Sequence, residues 1–273
     1  MNEKKSPLKA KPRRVAGQSV QEELDKLQYA AMDKGMLAVV AVVLLLLEFW
    51  KWFSKAPPSP LGVSIVCAPL FVYSICKLVS LRKQINRLKQ GLDGEKIVGE
   101  KLENLRVLGY RVFHDLIGGP FNVDHVLAGP AGVFTVETKT WSKGKGDKID
   151  HNGEVLWKNG IEVKPNPIDQ AKAQARWLYG LIKELTNENV FVQPVIVFPG
   201  WWVEPPKVAK PRALVLNPDQ LEGVLKTLPM KLEQNSIGFI SKRLELLASD
   251  MRSSSWETRA KTLESFYDPA KTW

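Results

Sequence analysis

The chain has 273 residues, with 39 basic against 29 acidic side chains and a formal net charge of +10. That length suits one ordinary domain with additional segments, and the positive excess favours an anionic partner such as nucleic acid or acidic lipid. The sequence has two cysteines, Cys67 and Cys76, both inside an apolar segment. Their number and spacing argue against a disulfide framework, a zinc finger and a thiol-based mechanism.

The chain begins with a basic segment. Its first fourteen residues, MNEKKSPLKAKPRR, contain six basic residues and one acid, which is typical of a flexible tail. The following stretch, VQEELDKLQYAAMDKG, has the apolar spacing of a helix. We therefore assign residues 1–35 to a basic N-terminal tail and a short helix.

Two long apolar stretches follow. MLAVVAVVLLLLEFWKWF starts at Met36, and LGVSIVCAPLFVYSICKLVSL comes after a proline-rich connector. Each is close to the ~20 residues that a helix needs to cross a bilayer, and Trp50, Trp52 and Phe53 lie where an interfacial aromatic belt would be. The pattern predicts a transmembrane helical hairpin over residues 36–80, in contact with the lipid bilayer. A buried helical hairpin in a soluble core is the alternative.

The distribution of charge predicts the orientation of this hairpin. Basic residues precede the first stretch, and Lys77, Arg82, Lys83, Arg87 and Lys89 follow the second without an acid among them. Lys55 is the one charged residue in the connector between the two stretches. By the positive-inside rule both termini face the cytoplasm, in a multi-pass protein of the cell (inner) membrane. Residues 81–92 are predicted to form a basic linker helix.

The remaining chain alternates between helical and strand patterns. In order, the predicted elements are a helix at 94–105, strands at 110–115, 121–127 and 133–140, short strands at 148–149 and 155–157, a helix at 167–185, strands at 190–198 and 213–216, a helix from 218 and a helical tail beyond 237. The order αβββαβ predicts an α/β fold with a mixed sheet flanked by helices. We place this domain at residues 93–220 and a helical C-terminal extension at residues 221–273.

The second and third of these strands contain unexpected charge. NVDHVLAGPAGVFTVETK reads as a hairpin, yet Asp124 interrupts its first strand and Glu137 and Lys139 interrupt its second. Glu137 and Lys139 project from the same face because side chains alternate along a strand. Pairing Leu127 with Val133 would turn Glu137 away from Asp124, whereas an offset by one residue or a bulge brings the two acids together. The flexible turn permits either register.

If the two acids meet, they define a chemical site. Two carboxylates that lie close together repel each other unless a cation is placed between them. Oxygen ligands without thiolate or clustered imidazole suit Mg²⁺ or Mn²⁺. Such an ion can activate a water molecule and neutralise charge on a phosphate, with Lys139 beside the reacting groups. A salt bridge between Asp124 and Lys139 without catalysis is the alternative.

This arrangement resembles the core of the PD-(D/E)xK nucleases, with Val123-Asp124 in place of the usual Pro-Asp. Four segments in order, GLDGEKIVGEKLENL, GYRVFHDL, NVDHVLAGPAGVFTVETK and NPIDQAKAQARWL, resemble the nuclease-related domain known as NERD over about residues 91–198. The resemblance implies a restriction-endonuclease-like fold and a metal-dependent nuclease acting on DNA. It implies that Asp124, Glu137 and Glu95 bind the metal, Lys139 is the catalytic lysine, and Gln170 completes the site.

Individual residues also have plainer interpretations. Glu95 can favour a helix N-terminus through the helix dipole, and Gln170 can cap or line its helix. The run WSKGKGDK after the third strand offers Trp141, Lys143, Lys145 and Lys148 as contacts to a nucleic acid, or a solvated loop.

These observations lead to one main hypothesis and two rivals. The main hypothesis is a membrane-anchored, metal-dependent nuclease with its catalytic domain in the cytoplasm. The first rival is a catalytically inactive nuclease-fold module that binds nucleic acid or a protein partner at the membrane. The second is a membrane scaffold whose soluble domain recruits proteins.

Overall fold

The computed structural model describes residues 14–54, 60–117, 122–206, 208 and 211–250. Most of the predicted basic tail, the connector with Lys55 and the C-terminal extension beyond residue 250 lie outside the described residues. The chain divides into two units, one formed by residues 19–92 and the other by residues 1–18 together with 93–273. We describe each unit by itself.

The first unit contains two long helices, α1 (Gln18–Phe53) and most of α2 (Pro60–Asn104). Both are long and apolar enough to cross a membrane. Large apolar side chains such as Val39, Leu46 and Ile65 are exposed on them, which suits a helix surrounded by lipid. The short helix predicted before Met36 is present, and it continues without interruption into the apolar stretch as the beginning of α1. Likewise, the helix predicted at 94–105 is the end of α2.

The second unit is built on a five-stranded mixed sheet. Its strands are β1 (Arg111–Ile117), β2 (Asn122–Gly129), β3 (Gly132–Thr138), β7 (Val192–Val197) and β9 (Leu214–Leu216), which lie side by side in that order. The first three are antiparallel neighbours, and β3, β7 and β9 run parallel to one another. This sheet confirms the predicted mixed sheet, with each of these strands within a few residues of its predicted bounds.

Helices cover both faces of this sheet. On one face α3 (Pro167–Thr186) and α5 (Gln234–Asp250) pack through a core that includes Trp177, Leu181 and Ile240. On the other face the last turns of α2 and the short helix α4 (Leu221–Thr227) pack through Val98, Leu102 and Leu225. The sheet is therefore flanked by helices, as predicted. Two 3₁₀ turns, Leu105–Leu108 and Pro218–Gln220, complete these connections.

The start of α3 matters most for the site. Asn166 caps the helix, since its side chain accepts a hydrogen bond from the N–H of Ile168, and Pro167 occupies the first turn. Both residue types are favoured at these positions because they satisfy or remove unpaired N–H groups. The helix is thereby fixed to begin at Pro167, so Gln170 lies at the end of its first turn.

A second sheet was not predicted as such. It is built from β4 (Lys148–His151), β5 (Leu156–Lys158), β6 (Ile161–Glu162) and β8 (Trp202–Val203), in the spatial order β6-β5-β4-β8. A small core containing Ile149, Phe198 and Trp201 lies beneath it. In the sequence β4 and β5 are visible as isolated short strands, and strands of two to four residues are too short to reveal their partners through periodicity.

Candidate active site

Three neighbouring strands place three acidic residues at one level of the sheet. In the hairpin, Leu127 pairs with Phe134 and His125 with Val136, so continuing the register places Asp124 opposite Glu137. This pairing is the one, offset by one residue, that brings the two acids together. It excludes the alternative with Leu127 opposite Val133. Between β1 and β2, the pairs His114–His125 and Leu116–Val123 flank a third acid, Asp115, and place it alongside Asp124.

Asp115 interrupts the regular geometry of β1. Its φ of 51° is in the left-handed region, which aspartate adopts more readily than most residues, and its side chain is buried. Strained backbone of this kind persists where the surrounding structure holds it in place. No sequence pattern singles out Asp115, because a turn toward the other acids cannot be read from strand alternation.

Glu95 joins this cluster from the final part of α2. The helix can approach because Gly94 lacks a side chain: a Cβ at that position would lie 1.8 Å from Cγ2 of Thr140. Burial, followed by the negative charges of Asp115 and Glu137, raises the pKa of Glu95 to about 7. The pKa of Glu95 therefore depends on the neighbouring carboxylates as well as on burial.

Glu137 is the most heavily bonded of the acids. It is buried, and its Oε1 accepts from Lys139 Nζ at 2.6 Å and from Gln170 Nε2 at 2.8 Å. Its Oε2 accepts from Gln174 Nε2 at 2.6 Å, and Lys139 Nζ also donates to Gln170 Oε1 at 2.9 Å. The carboxylate is thus held in one orientation by a cation and two amides, the charge-assisted bonds being the strongest of these.

Asp124 has fewer partners. Its Oδ2 accepts from the backbone N–H of Thr138 at 2.7 Å. Burial of the carboxyl group raises its pKa well above the ordinary value, and the charges of Glu137 and Glu95 act in the same direction. The Thr138 bond and the charge of Lys139 oppose this rise without cancelling it. Positive charge placed beside this carboxyl group would favour its ionised form.

These properties fit a divalent cation. Within the described ranges no group of three or more His, Cys, Asp or Glu side chains is close enough to hold a metal ion as it stands. However, Asp124 and Glu95 each have a pKa raised first by burial and then by neighbouring carboxylates, and a cation between them would oppose both effects. The available donors are carboxylate oxygens, which suit Mg²⁺ or Mn²⁺.

A short N-terminal segment also reaches the acid cluster, by which we mean Glu95, Asp115, Asp124 and Glu137. Arg14 Nε lies 2.6 Å from Asp115 Oδ2, and both side chains are largely buried. A hydrogen bond from the backbone of Gly17 lowers the pKa of Glu95 against the larger effect of burial. Ala16 packs where Gly99 has no side chain, since a Cβ there would lie 2.6 Å from that of Ala16. Residues 14–17 are therefore part of the site's surroundings.

His125, next to Asp124, faces a different environment. It is buried, and its Nδ1 lies 2.9 Å from Nδ1 of His114, whose Nε2 lies 2.8 Å from Glu103 Oε1. Burial lowers the pKa of His125 to about 3, with a smaller effect from His114. His125 is therefore neutral and belongs to a hydrogen-bonded chain of side chains with His114 and Glu103.

The four residues predicted as contacts to a nucleic acid lie in different surroundings. Trp141 lines a large cleft whose lining also includes Lys139 and Gln170. Its ring packs on Phe198 at a centroid distance of 4.9 Å. The side chain of Lys143 bonds the carbonyl oxygen of Gly200, and Lys148 lies within ion-pair distance of Asp150 and Glu204. Lys145 is exposed. Of these four residues, Trp141 alone lines that cleft.

Three further residues were missed by sequence reasoning: Arg14, Asp115 and Gln174. Gln174 had a detectable signal, because it lies four residues after Gln170 and such residues share one face of a helix. Arg14 had none, because it is separated from Asp115 by 101 residues. A long-range pair of this kind leaves no local pattern in a single sequence.

Comparison with known proteins supports the interpretation of the motifs. A family model described as NERD, nuclease-related domain, matches residues 90–199. This segment contains Glu95, Asp124, Glu137, Lys139 and Gln170. No curated protein matched the chain, and no solved structure did so either. Residues 90–199 of this chain therefore match the nuclease-related domain family, as the four motifs predicted.

Proposed function

We propose that this chain is a membrane-anchored, metal-dependent nuclease that hydrolyses phosphodiester bonds, with DNA as its substrate. The observation that supports this most strongly is the register of the hairpin. It sets Asp124 opposite Glu137 and leaves Lys139 bonded to Glu137 at 2.6 Å. A nuclease of this type needs two acids and a lysine at one point, and a binding module has no such need.

Asp124 and Glu137 would hold the metal ion, with Glu95 as a third oxygen donor. Such an ion, Mg²⁺ or Mn²⁺, lowers the pKa of a bound water and offsets negative charge on a phosphate when it is present. The raised pKa values of Glu95 and Asp124 support this assignment, because a cation between these carboxyl groups would favour their ionised forms.

The remaining residues of the site hold Glu137 in place and supply positive charge. Gln170 and Gln174 fix both oxygens of Glu137 by hydrogen bonds of 2.8 Å and 2.6 Å. Lys139 carries a positive charge to the edge of the acid cluster, where 21% of its side chain is exposed. From there its ammonium group can stabilise the charge that develops on a phosphate oxygen during hydrolysis. Aligned partners of this kind keep the acids in a reactive geometry before substrate arrives.

The proposal is tested by cleavage of labelled DNA with the full-length chain in detergent. We expect cutting with Mg²⁺ or Mn²⁺ and none after addition of a chelator. Asp124→Asn, Glu137→Gln and Lys139→Met should each lower the rate by about 100-fold or more, as loss of groups at the reacting atoms does elsewhere. Matched controls are Glu184→Gln and Lys183→Met, which change exposed residues at the end of α3.

Two results would contradict the nuclease proposal. One is purified, folded wild-type chain that cuts neither DNA nor RNA under any of these conditions. The other is cutting that persists in all three site variants, since this would show a contaminating activity. Binding of nucleic acid without cutting would instead favour the inactive module.

We further propose that α1 and α2 anchor the chain in the cell (inner) membrane as a hairpin, with both termini and the nuclease domain in the cytoplasm. The two helices have sufficient length and apolarity, and basic residues flank the hairpin on its terminal sides. In a Cys67→Ser/Cys76→Ser background, Ser54→Cys should react with a membrane-impermeant thiol reagent in intact cells. Lys183→Cys should react only after lysis. Equal labelling of both in intact cells would contradict this topology.

A further inference from the structure

A large cleft adjoins the acid cluster. It has a volume of about 1130 Å³, and its lining includes Lys139 and Gln170, the two residues that bond Oε1 of Glu137. This volume is slightly above the ~300–1000 Å³ typical of ligand sites. The cleft therefore offers a substrate a route to the proposed reacting groups.

The charged side chains that line the cleft are predominantly basic. Its cationic lining residues are Lys139, Lys164, Lys172, Arg176 and Arg212. Glu154 and Asp169 are the acids among its lining residues, and Glu154 lies within ion-pair distance of Arg212 at 3.0 Å and of Lys172 at 3.7 Å. Cationic side chains thus outnumber acidic ones along the wall. A polyanion is the ligand that this balance favours.

Two aromatic residues also contribute to the cleft. Phe191, which immediately precedes β7, is 50% exposed although it is a large apolar side chain. Trp141 lies on the wall and is partly exposed, with its ring supported by Phe198 and Trp201. Exposed aromatic rings in a basic groove are the surfaces on which unpaired bases stack. A simple phosphate ligand would not account for them.

The shape of the surface favours one strand over two. Sequence in duplex DNA is read by a helix or ribbon that protrudes into a groove of the nucleic acid. Here the basic and aromatic residues line a recess, into which an extended strand with unpaired bases can lie. The cleft residues come from the chain just after β3, from Glu154, from the loop before α3 together with α3 itself, from the start of β7 and from residues 211–212, and all belong to the same unit.

We propose that this cleft, defined by Trp141, Lys164, Phe191 and Arg212, binds a single strand of nucleic acid and delivers it to Glu137 and Lys139. The inference rests on the proposed nuclease function and specifies its substrate as single-stranded or unpaired. Phe191 stacks a base, while Lys164 and Arg212 contact phosphates.

The experiment measures binding, so that it does not depend on cleavage. Full-length chain in detergent is titrated into a fluorescein-labelled DNA 20-mer and, separately, into the same sequence as a duplex, both with chelator present. We expect tighter binding of the single strand. Phe191→Ala should weaken it by roughly 5- to 100-fold, the range of one lost stacking contact. Lys164→Ala and Arg212→Ala should each reduce the salt dependence.

Matched controls change similar residues outside the cleft. Phe239→Ala removes an exposed phenylalanine on α5, and Lys183→Ala removes an exposed lysine at the end of α3. Neither should alter affinity appreciably. Phe191→Trp provides a second test at the stacking position, because a larger ring should retain or strengthen binding, whereas a general disturbance of folding would not.

The outcomes separate this inference from the nuclease proposal. Equal or tighter binding of the duplex would overturn it, as would single-strand binding that Phe191→Ala and Arg212→Ala leave unchanged. If the wild type cuts DNA in either case, the nuclease proposal stands and the cleft assignment fails. Selective single-strand binding that depends on Phe191, without any cutting, would support the cleft and contradict the nuclease.

Discussion

Arg14 and Asp115 form a largely buried ion pair between two parts of the chain that are 101 residues apart. Asp115 lies beside Asp124 in the sheet, and its charge raises the pKa of Glu95. The guanidinium group of Arg14 therefore supplies positive charge to the acid cluster from outside the matched domain, which begins at residue 90. The segment that precedes α1 is thus part of the unit that contains the candidate active site.

We expect Arg14→Ala to destabilise the chain by roughly 3 kcal/mol, because removal of one partner leaves a buried charge without compensation. Chemical unfolding in detergent, followed through tryptophan fluorescence, measures this change. Replacing the exposed Arg111 by Ala is the matched control and should cost less than about 0.5 kcal/mol. In the double variant Arg14→Ala/Asp115→Asn part of the loss should be recovered. Equal stability of the Arg14 and Arg111 variants would contradict the structural role.

Much of the site followed from the sequence because its residues lie in short, ordered motifs. Asp124, Glu137 and Lys139 were apparent as charges in apolar strands. Their register was not determined, since the flexible turn could close in more than one way. In the structure Gly129 pairs with Gly132, and the φ of 129° at Gly132 is one that glycine adopts without strain. The turn thus selects the offset that brings the acids together.

The features that escaped prediction are those that depend on distant parts of the chain. Asp115 reaches the cluster through an unusual backbone angle, and Arg14 reaches it through the fold. The cleft is assembled from residues of five separate segments, so no single sequence motif predicts it. The small second sheet joins strands as short as two residues. In each case the information lies in tertiary packing rather than local pattern.

Gln170 and Gln174 are predicted to act as positioning residues for Glu137. Gln174→Ala should reduce cleavage by roughly 10- to 100-fold, the usual cost of losing a partner that orients a metal-binding group, and Gln170→Ala should have a similar effect. The control is Gln234→Ala, an exposed glutamine at the start of α5. The affinity for Mn²⁺, measured by calorimetry, should weaken in parallel. Unchanged cleavage and Mn²⁺ affinity in both variants would show that Glu137 does not need these bonds.

The raised pKa of Glu95 has a consequence for stability. Glu95 titrates ordinarily near 4.5 and in the folded chain at about 7, so between these values the folded state retains a proton that the unfolded state releases. Its contribution therefore favours folding at low pH and is lost as the pH rises from about 4.5 to about 7. Glu95→Gln remains uncharged, so its stability relative to the wild type should increase across this window.

Thermal unfolding at pH 5 and pH 8 without divalent cations tests this prediction. The advantage of Glu95→Gln should be larger at pH 8, and added Mn²⁺ should stabilise the wild type more than the variant because it favours the ionised acid. Glu184→Gln, an exposed change, should show neither effect. The same difference between Glu95→Gln and wild type at both pH values would contradict the proposed environment of Glu95.

Gly94 permits the approach of α2 to the end of β3, and this gives a steric test of the site. A methyl group at Gly94 would lie 1.8 Å from Cγ2 of Thr140, so either the helix or Thr140 must move. Gly94→Ala should therefore destabilise the chain, in the range of about 1–3 kcal/mol for overpacking, and lower cleavage by displacing Glu95. Chemical unfolding and the DNA cleavage assay measure the two losses.

Gly223 provides the control for this substitution, because it lies in α4 and a methyl group added there would meet no atom within 4 Å. Gly223→Ala should stabilise the helix by roughly 0.5–1 kcal/mol. The double variant Gly94→Ala/Thr140→Ser removes the clashing methyl group and should recover part of both losses. If Gly94→Ala is as stable and as active as Gly223→Ala, the close approach of α2 to Thr140 is not what places Glu95 at the acid cluster.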